Sequence, residues 1–214
     1  SADDLTLGNL ELGDNTLSLD FASVNNATLI LPNTLAMDTA GSVIETRGSN
    51  LTLADALQLD SGSITSTGGT LRFTGGLTMG ASGVLDVTDS TLSVSQALDL
   101  SVGTFTSSTS SVLDLQAATT LSANDQVTGQ DPVTFEDVHF NGNVLTLGSA
   151  STHLKVNDAL ALSGIALETG AGSLTLSGAL ALTDNASLNS SGGTITLKSG
   201  GTSTGSVVSL PATT

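Results

Sequence analysis

The sequence predicts an all-β protein, a single parallel β-helix (β-solenoid) that spans residues 1–214 in about ten coils. Three observations predict it. Apolar residues recur every 19 to 22 positions, short triplets alternate apolar and polar residues, and the 214 residues include 24 Gly and 5 Phe but no Trp, Tyr or Cys. A narrow tube filled by Leu, Val, Ile and Ala has little room for large aromatic rings, so each coil of 19 to 22 residues should hold three short strands.

The periodicity forms three apolar columns, one for each side of the tube. The first contains Leu10, Leu29, Leu51, Leu71, Leu92, Leu113, Val133, Leu154, Leu174 and Ile195. The second contains Leu17, Leu35, Leu57, Leu77, Leu98, Thr119, Phe140, Leu160 and Leu180. The third contains Val24, Val43, Ile64, Val84, Phe105, Val127, Leu145, Leu167, Leu188 and Val207.

Each triplet, such as Leu51-Thr52-Leu53, has the period of two that points alternate side chains to opposite faces of a strand. Glycines such as Gly62 and Gly178 fall between triplets, where corners favour positive φ. Stacked coils would pair each strand with its equivalents in parallel, giving a rod roughly 50 Å long. A β-sandwich or an up-and-down barrel also uses many strands, but these strands are longer and do not repeat in threes.

Composition and charge exclude several classes of partner. The 4 Lys and Arg against 20 Asp and Glu give a net charge of -16, which disfavours nucleic acid and anionic membranes. No apolar run is long enough to insert into a membrane. The Thr, Ser, Asp and Gly richness and the start at Ser1 without a leader favour a mature secreted, extracellular or cell-surface protein.

The triplets Leu174-Thr-Leu176, Leu180-Ala-Leu182 and Ile195-Thr-Leu197, spaced by Gly, Ser, Ala and Asn, resemble those of bacterial filamentous-haemagglutinin-type and autotransporter-passenger adhesins. The likeness is periodic, covers nearly the whole chain and includes no diagnostic motif. It implies a right-handed β-helix that serves mostly as a scaffold, and it carries over no site residue.

An enzyme is the less favoured interpretation. Enzymatic β-helices that resemble pectate lyases combine clustered carboxylates with a cation and aromatic platforms. The four cations, Arg47, Arg72, Lys155 and Lys198, fall in different coils, and no Tyr or Trp is present to stack on sugars. We therefore expect a protein that is not an enzyme and requires no cofactor.

The least regular coil, around residues 121–143, is the candidate binding region. A lateral interface or metal site there would use Phe135, Glu136, Asp137, His139 and Phe140. The alternative is structural: residues 133–140 would form one longer, outward-bulging side between Asp131-Pro132 and Asn141-Gly142.

A second candidate site is a column of aspartates. Asp20, Asp38 and Asp60 follow the second strand of three consecutive coils, so stacking would bring their carboxylates within about 5 Å of one another. Calcium could bridge them, although aspartates at exposed corners can also remain solvated. Thr-x-Thr triplets such as Thr104-Phe-Thr106 and Thr194-Ile-Thr196 could order water, but they fall in different columns.

The sequence at the ends shows no capping helix, which leaves open strand edges to explain. The chain is either part of a longer rod or a subunit that stacks head to tail. We therefore expect a non-enzymatic structural protein, either a subunit of a secreted fibre or biofilm matrix or an adhesin stalk. Its partners would be copies of itself, neighbouring solenoid repeats or a cell-surface glycan. The alternative is a β-helix that binds or cleaves polysaccharides.

Overall fold

The computed structural model describes residues 4–19, 28–123 and 132–209 and shows an all-β solenoid of about nine coils, about 21 residues apart. Up to residue 123 the described strands are β1 (Leu5–Thr6), β2 (Leu10–Glu11), β3 (Thr16–Ser18), β4 (Thr28–Leu31), β5 (Leu35–Ala36), β6 (Val43–Glu45), β7 (Asn50–Leu53), β8 (Leu57–Leu59), β9 (Ser63–Thr65), β10 (Thr70–Phe73), β11 (Leu77–Met79), β12 (Val84–Val87), β13 (Thr91–Val94), β14 (Leu98–Leu100), β15 (Thr104–Ser107), β16 (Val112–Leu115) and β17 (Thr119–Ala123). From residue 132 onward they are β18 (Val133–Phe135), β19 (Asp137–His139), β20 (Leu145–Leu147), β21 (His153–Val156), β22 (Leu160–Ser163), β23 (Ala166–Gly170), β24 (Ser173–Leu176), β25 (Leu180–Thr183), β26 (Ser187–Ser190), β27 (Ile195–Leu197), β28 (Gly201–Ser203) and β29 (Val207–Ser209).

The strands lie on three faces, which the chain visits in a fixed order, and every described strand pair is parallel. Face 1 consists of β1, β4, β7, β10, β13, β16 and β19, followed by β22, β25 and β28. Face 2 consists of β2 and β5, followed by the eight-stranded sheet from β8 to β29. Face 3 consists of β3, β6, β9, β12 and β15, followed by β18, β21, β24 and β27. The predicted fold class is confirmed.

The core is a set of aliphatic ladders that run along the rod axis. On face 1, Leu51, Leu71, Leu92 and Leu113 pair in register in successive strands, and all four are fully buried. Like residues stacked about 4.8 Å apart exclude water from the interior of the described coils. The period of two predicted from the triplets therefore corresponds to the inside and outside of each strand.

Hydroxyl side chains close the corners. Ser42, Thr46, Ser66 and Ser111 are fully buried, and the Ser111 Oγ donates to the Val87 carbonyl oxygen in the preceding coil at 2.6 Å. Within the described residues, no buried side-chain nitrogen or oxygen lacks a hydrogen-bond partner. An unpaired buried polar group costs about 1–3 kcal/mol. Because these hydroxyls are all paired, Ser and Thr can be buried at the corners without that cost.

The corner glycines serve two different needs. Gly62 has the predicted positive φ, 79°. Gly178 does not, and a Cβ there would instead collide with the backbone of Asp158 and Ala159 in the preceding coil. The close approach of adjacent coils therefore explains Gly178 better than backbone torsion does.

The first and the second predicted column each need a correction in the first coil. In the first coil, Leu5 pairs with Leu29, whereas Leu10 pairs with Leu35, so Leu10 belongs to face 2. Leu17 pairs with Ile44 and belongs to face 3 rather than to the second column.

All three columns change face at the irregular coil: beyond it the first continues on face 3, the second on face 1 with Leu160, and the third on face 2 with Leu145. Leu113 pairs with Val138, a step of 25 residues, whereas Val133 pairs with Leu154 on face 3. The reason is that residues 124–132 lengthen the segment between β17 and β18, and the single residue Glu136 then separates β18 from β19. The sheets of faces 1 and 3 are each divided near this coil, and only the face 2 sheet runs through it. We call the segment 107–143 the junction.

Candidate functional site

The aromatic residues of the predicted lateral interface are part of the core. Phe135 is 0% exposed and Phe140 5% exposed, and the Phe135 ring centroid lies 6.1 Å from that of Phe105. Neither ring is available at the surface, so their predicted role in lateral binding is wrong. The alternative of one long outward side over 133–140 is also wrong, because Glu136 turns the chain from face 3 to face 1.

The polar residues of the same prediction do reach the surface. Glu136 and Asp137 are partly exposed and His139 is exposed. The His139 Nε2 lies 3.1 Å from the Asp137 Oδ2, and its Nδ1 lies 3.9 Å from the Oδ1 of Asp114 in the preceding coil. Whether these residues bind a partner stays a prediction.

Asp114 is the centre of a hydrogen-bond network that joins three coils. Its Oδ2 accepts from the Ser93 Oγ at 3.0 Å and from the Gln116 Nε2, and its Oδ1 accepts from the Asn141 Nδ2 at 2.8 Å. The carboxylate is only 17% exposed. These donors to a charged acceptor hold β13, β16 and the corner after β19 together, which is a structural role. The sequence gives no sign of this role for Asp114, because its partners Ser93 and Asn141 are 21 and 27 residues away along the chain.

The structure describes two of the three residues of the predicted aspartate column. Asp38 follows β5 and Asp60 follows β8, and both are exposed. Asp20 lies outside the described residues, and the strand before it, β3, pairs with β6 rather than with β5. The premise that three aspartates follow equivalent strands is therefore wrong.

Calcium binding by Asp38 and Asp60 stays a prediction. The described part of the chain contains no group of three or more His, Asp or Glu side chains placed to hold a metal ion. If calcium binds here, it should raise the thermal midpoint of the wild-type chain more than that of Asp60→Asn, because the variant loses a charged oxygen ligand. Thermal midpoints are measured by circular dichroism over a calcium titration. If they rise equally in the wild-type chain and in Asp60→Asn, Asp60 is not a calcium ligand.

The threonine triplets share a face after all. Thr104 and Thr106 lie on β15, and Thr196 lies on β27, both strands of face 3. The expectation that they fall on different sides is wrong, because the first column moves to face 3 at the junction. The partly exposed Lys155 lies between them on the same face, and the partly exposed Asp86 flanks Thr106 on the other side, so the hydroxyls do not form a continuous array.

Face 2 carries a polar groove of about 570 Å³, lined by Thr146, Glu168, Gly170, Asn189, Ser190 and Ser191. It lies where the register between β23 and β26 shifts between Glu168 and Gly170. The Asn189 Nδ2 donates to the Glu168 Oε1 at 2.8 Å. The groove contains one carboxylate and no cation or aromatic ring, so it lacks the groups that polarise or stack on a sugar.

At the C-terminal end of the described structure the interior of the tube is open. A cavity of about 150 Å³ is lined by Leu180, Leu182, Leu197, Gly201, Thr202, Ser203 and Val208. Leu197, Val207 and Val208 are exposed, and β27, β28 and β29 each pair on one side only within the described residues. At the opposite end Leu5 is exposed, and β1, β2 and β3 are likewise the edge strands of their sheets. Both ends of the described structure therefore present apolar residues beside strand edges that have no described partner.

Comparison with protein-family models, curated proteins and solved structures finds no significant match. Within the described ranges, no helix has the length and apolar character needed to cross a membrane.

What the structure itself shows is a β-helix repeat protein. Stacked parallel strands and continuous Leu ladders make a rod in which each coil contacts mainly its neighbours. This architecture fits a structural or adhesin-like repeat protein.

Proposed function

We propose that the chain is a non-enzymatic, secreted structural protein whose rods stack head to tail into an extracellular fibre or an adhesin stalk. The observation that carries the proposal is the C-terminal end of the described residues, where Leu197, Val207 and Val208 are exposed beside three strands that have no described partner on their outer side. Such edges favour pairing with a further parallel strand on each face.

The order of the strands supports stacking between copies. The last described coil runs β27, β28, β29 over faces 3, 1 and 2, and the first runs β1, β2, β3 over faces 1, 2 and 3. Each C-terminal edge therefore has a counterpart on the same face of a second copy, and both run in the same direction along the faces. A head-to-tail contact of this kind does not close, so it extends into a filament.

Apolar burial and charge favour the same arrangement. Residues 1–20 contain five Asp and Glu and no Lys or Arg, whereas Lys198 is the only charged residue in 185–214. Bringing the two ends together would cover Leu5 and Val208 and would place Lys198 nearer to an acidic end. A contact between the C-terminal ends of two copies would lack this charge complementarity.

Negative-stain electron microscopy and size-exclusion chromatography at micromolar concentration test the proposal. We expect the wild-type chain to form fibres about one solenoid wide. Val208→Asp should disperse them into short rods, because it puts a carboxylate into an apolar contact opposite an acidic end. Val102→Asp is the matched control: Val102 is 39% exposed and Val208 46%, but Val102 lies on the side of the rod between β14 and β15.

Monomeric wild-type rods, or loss of fibres in both variants alike, would contradict head-to-tail stacking through this end. Monomeric rods that are also retained on a polysaccharide column would favour the alternative, a polysaccharide-binding β-helix. The observation behind that alternative is the polar groove at Glu168 on face 2. Cleavage of the polysaccharide during retention would overturn the non-enzymatic part of the proposal.

A further inference from the structure

Asn141 and Gly142 form the single Asn-Gly pair of the sequence, and they occupy an exposed β-turn within the junction. The Asn143 N–H donates to the Phe140 carbonyl oxygen at 2.8 Å, and φ is 49° at Asn141 and 78° at Gly142. Positive φ at both central residues is the geometry that Asn-Gly favours in two-residue turns. The pair is therefore in a well-formed turn of its preferred type.

The Asn141 side chain is a donor between coils. Its Nδ2 donates to the Asp114 Oδ1 at 2.8 Å and to the Leu115 carbonyl oxygen at 3.1 Å. Both acceptors belong to the preceding coil, so this amide connects two levels of the rod where the sheets of faces 1 and 3 are divided. An amide nitrogen suits this position, and an oxygen does not, because both of its partners are acceptors.

Asn-Gly pairs undergo a specific reaction with their own backbone. The Gly142 backbone nitrogen loses its proton and attacks the Asn141 Cγ, the Cγ–Nδ2 bond breaks, and ammonia leaves. Water then opens the five-membered succinimide at either carbonyl and yields aspartate or isoaspartate. The reaction needs no oxidant or cofactor, only solvent and a side chain that is free to approach the next backbone nitrogen.

We propose that Asn141 is a deamidation site that the native fold protects, and that its reaction irreversibly loosens the junction. Protection follows because the hydrogen bonds to Asp114 and Leu115 hold the side chain against the preceding coil, away from ring closure. The junction loosens because the new carboxylate at position 141 cannot donate a hydrogen bond to the Asp114 carboxylate or to the Leu115 carbonyl oxygen. Like charges at this distance repel one another, and the Asp114 Oδ1 loses the hydrogen bond from Asn141, while the Leu115 carbonyl keeps the Asn143 Nδ2 as a donor.

Peptide mass spectrometry that separates the asparaginyl, aspartyl and isoaspartyl forms measures the protection directly. The intact chain is incubated at mildly basic pH with and without urea. We expect conversion of Asn141 in the native chain to be slower than in urea by about tenfold or more, because reaction requires local opening of the junction. Equal rates in the two states would overturn the protection.

Exchanging the amide and the carboxylate between positions 141 and 114 tests whether deamidation destabilises the junction. Asn141→Asp should lower the thermal midpoint more than Asn141→Gly, which removes the same donor, fits the positive φ and adds no charge. The double variant Asp114→Asn with Asn141→Asp should recover most of the loss, since an amide then faces a carboxylate again, with donor and acceptor exchanged. If Asn141→Asp is no worse than Asn141→Gly, or if the double variant is no better than Asn141→Asp, the coupling between the coils is not the one proposed.

Discussion

Replacing Phe135 with alanine should lower the free energy of unfolding by about 3–5 kcal/mol, the cost of removing a fully buried aromatic ring. Phe135 is 0% exposed and contacts the Phe105 ring. Alanine would leave a cavity in the core between Phe105 and Val156, the neighbours of Phe135 on face 3. Urea denaturation followed by circular dichroism measures the change.

His139→Ala provides the contrast. His139 was predicted in the same binding patch, but its side chain is 53% exposed. We expect a change within about 0.5 kcal/mol, as for surface positions generally. If Phe135→Ala were as mild as His139→Ala, the ring would not be a core residue, and the lateral interface would have to be reconsidered.

Replacing Gly69 with alanine should have the second large effect, a loss of about 2–5 kcal/mol. Gly69 has a φ of 77°, which costs a residue with a Cβ about 1–2 kcal/mol. In addition, the new Cβ would lie 2.5 Å from the Ser49 carbonyl oxygen and 2.9 Å from that of Gly48. Relieving that contact requires moving the backbone of the preceding coil, which overpacking data place at about 1–3 kcal/mol.

Gly48→Ala separates the two causes. Gly48 has a φ of 84°, yet a Cβ there would have no atom within 4 Å. We expect this variant to lose only the torsional part, about 1–2 kcal/mol. Equal losses for the two glycines in a paired denaturation experiment would show that the spacing between coils is not limiting at Gly69.

The predicted features that proved correct depend on short-range pattern. An apolar-polar-apolar triplet specifies which side chains point inward, whatever the rest of the chain does. A constant repeat of about 21 residues specifies that equivalent triplets stack. Leu51, Leu71, Leu92 and Leu113 therefore lie in one buried ladder, as expected.

The predictions that failed lie where the pattern is interrupted. Residues 133–140 look like one strand, and in one strand Phe135 and His139 would face the same way. The corner at Glu136 shifts the alternation by one residue, so Val138 and Phe140 are buried while His139 is exposed. A one-residue shift moves every following side chain to the opposite face, and the sequence has no marker for this corner.

The premise that the three aspartates follow equivalent strands failed for a related reason. Asp20, Asp38 and Asp60 have similar spacing in the sequence, but the first coil is longer, with Leu17 paired to Ile44 across 27 residues. Residues spaced at equal intervals along the chain occupy equivalent positions in successive coils only when every coil has the same length.

The sequence by itself determined the parallel β-solenoid, its repeat and its aliphatic interior, because these follow from local alternation and a regular period. The tertiary structure decided which face each column occupies, the burial of Phe135, and the network that joins Asp114 to Ser93 and Asn141. These depend on the lengths of particular corners and on contacts between residues about one coil apart. Such contacts form only once the coils are stacked, so the order of residues along the chain does not reveal them.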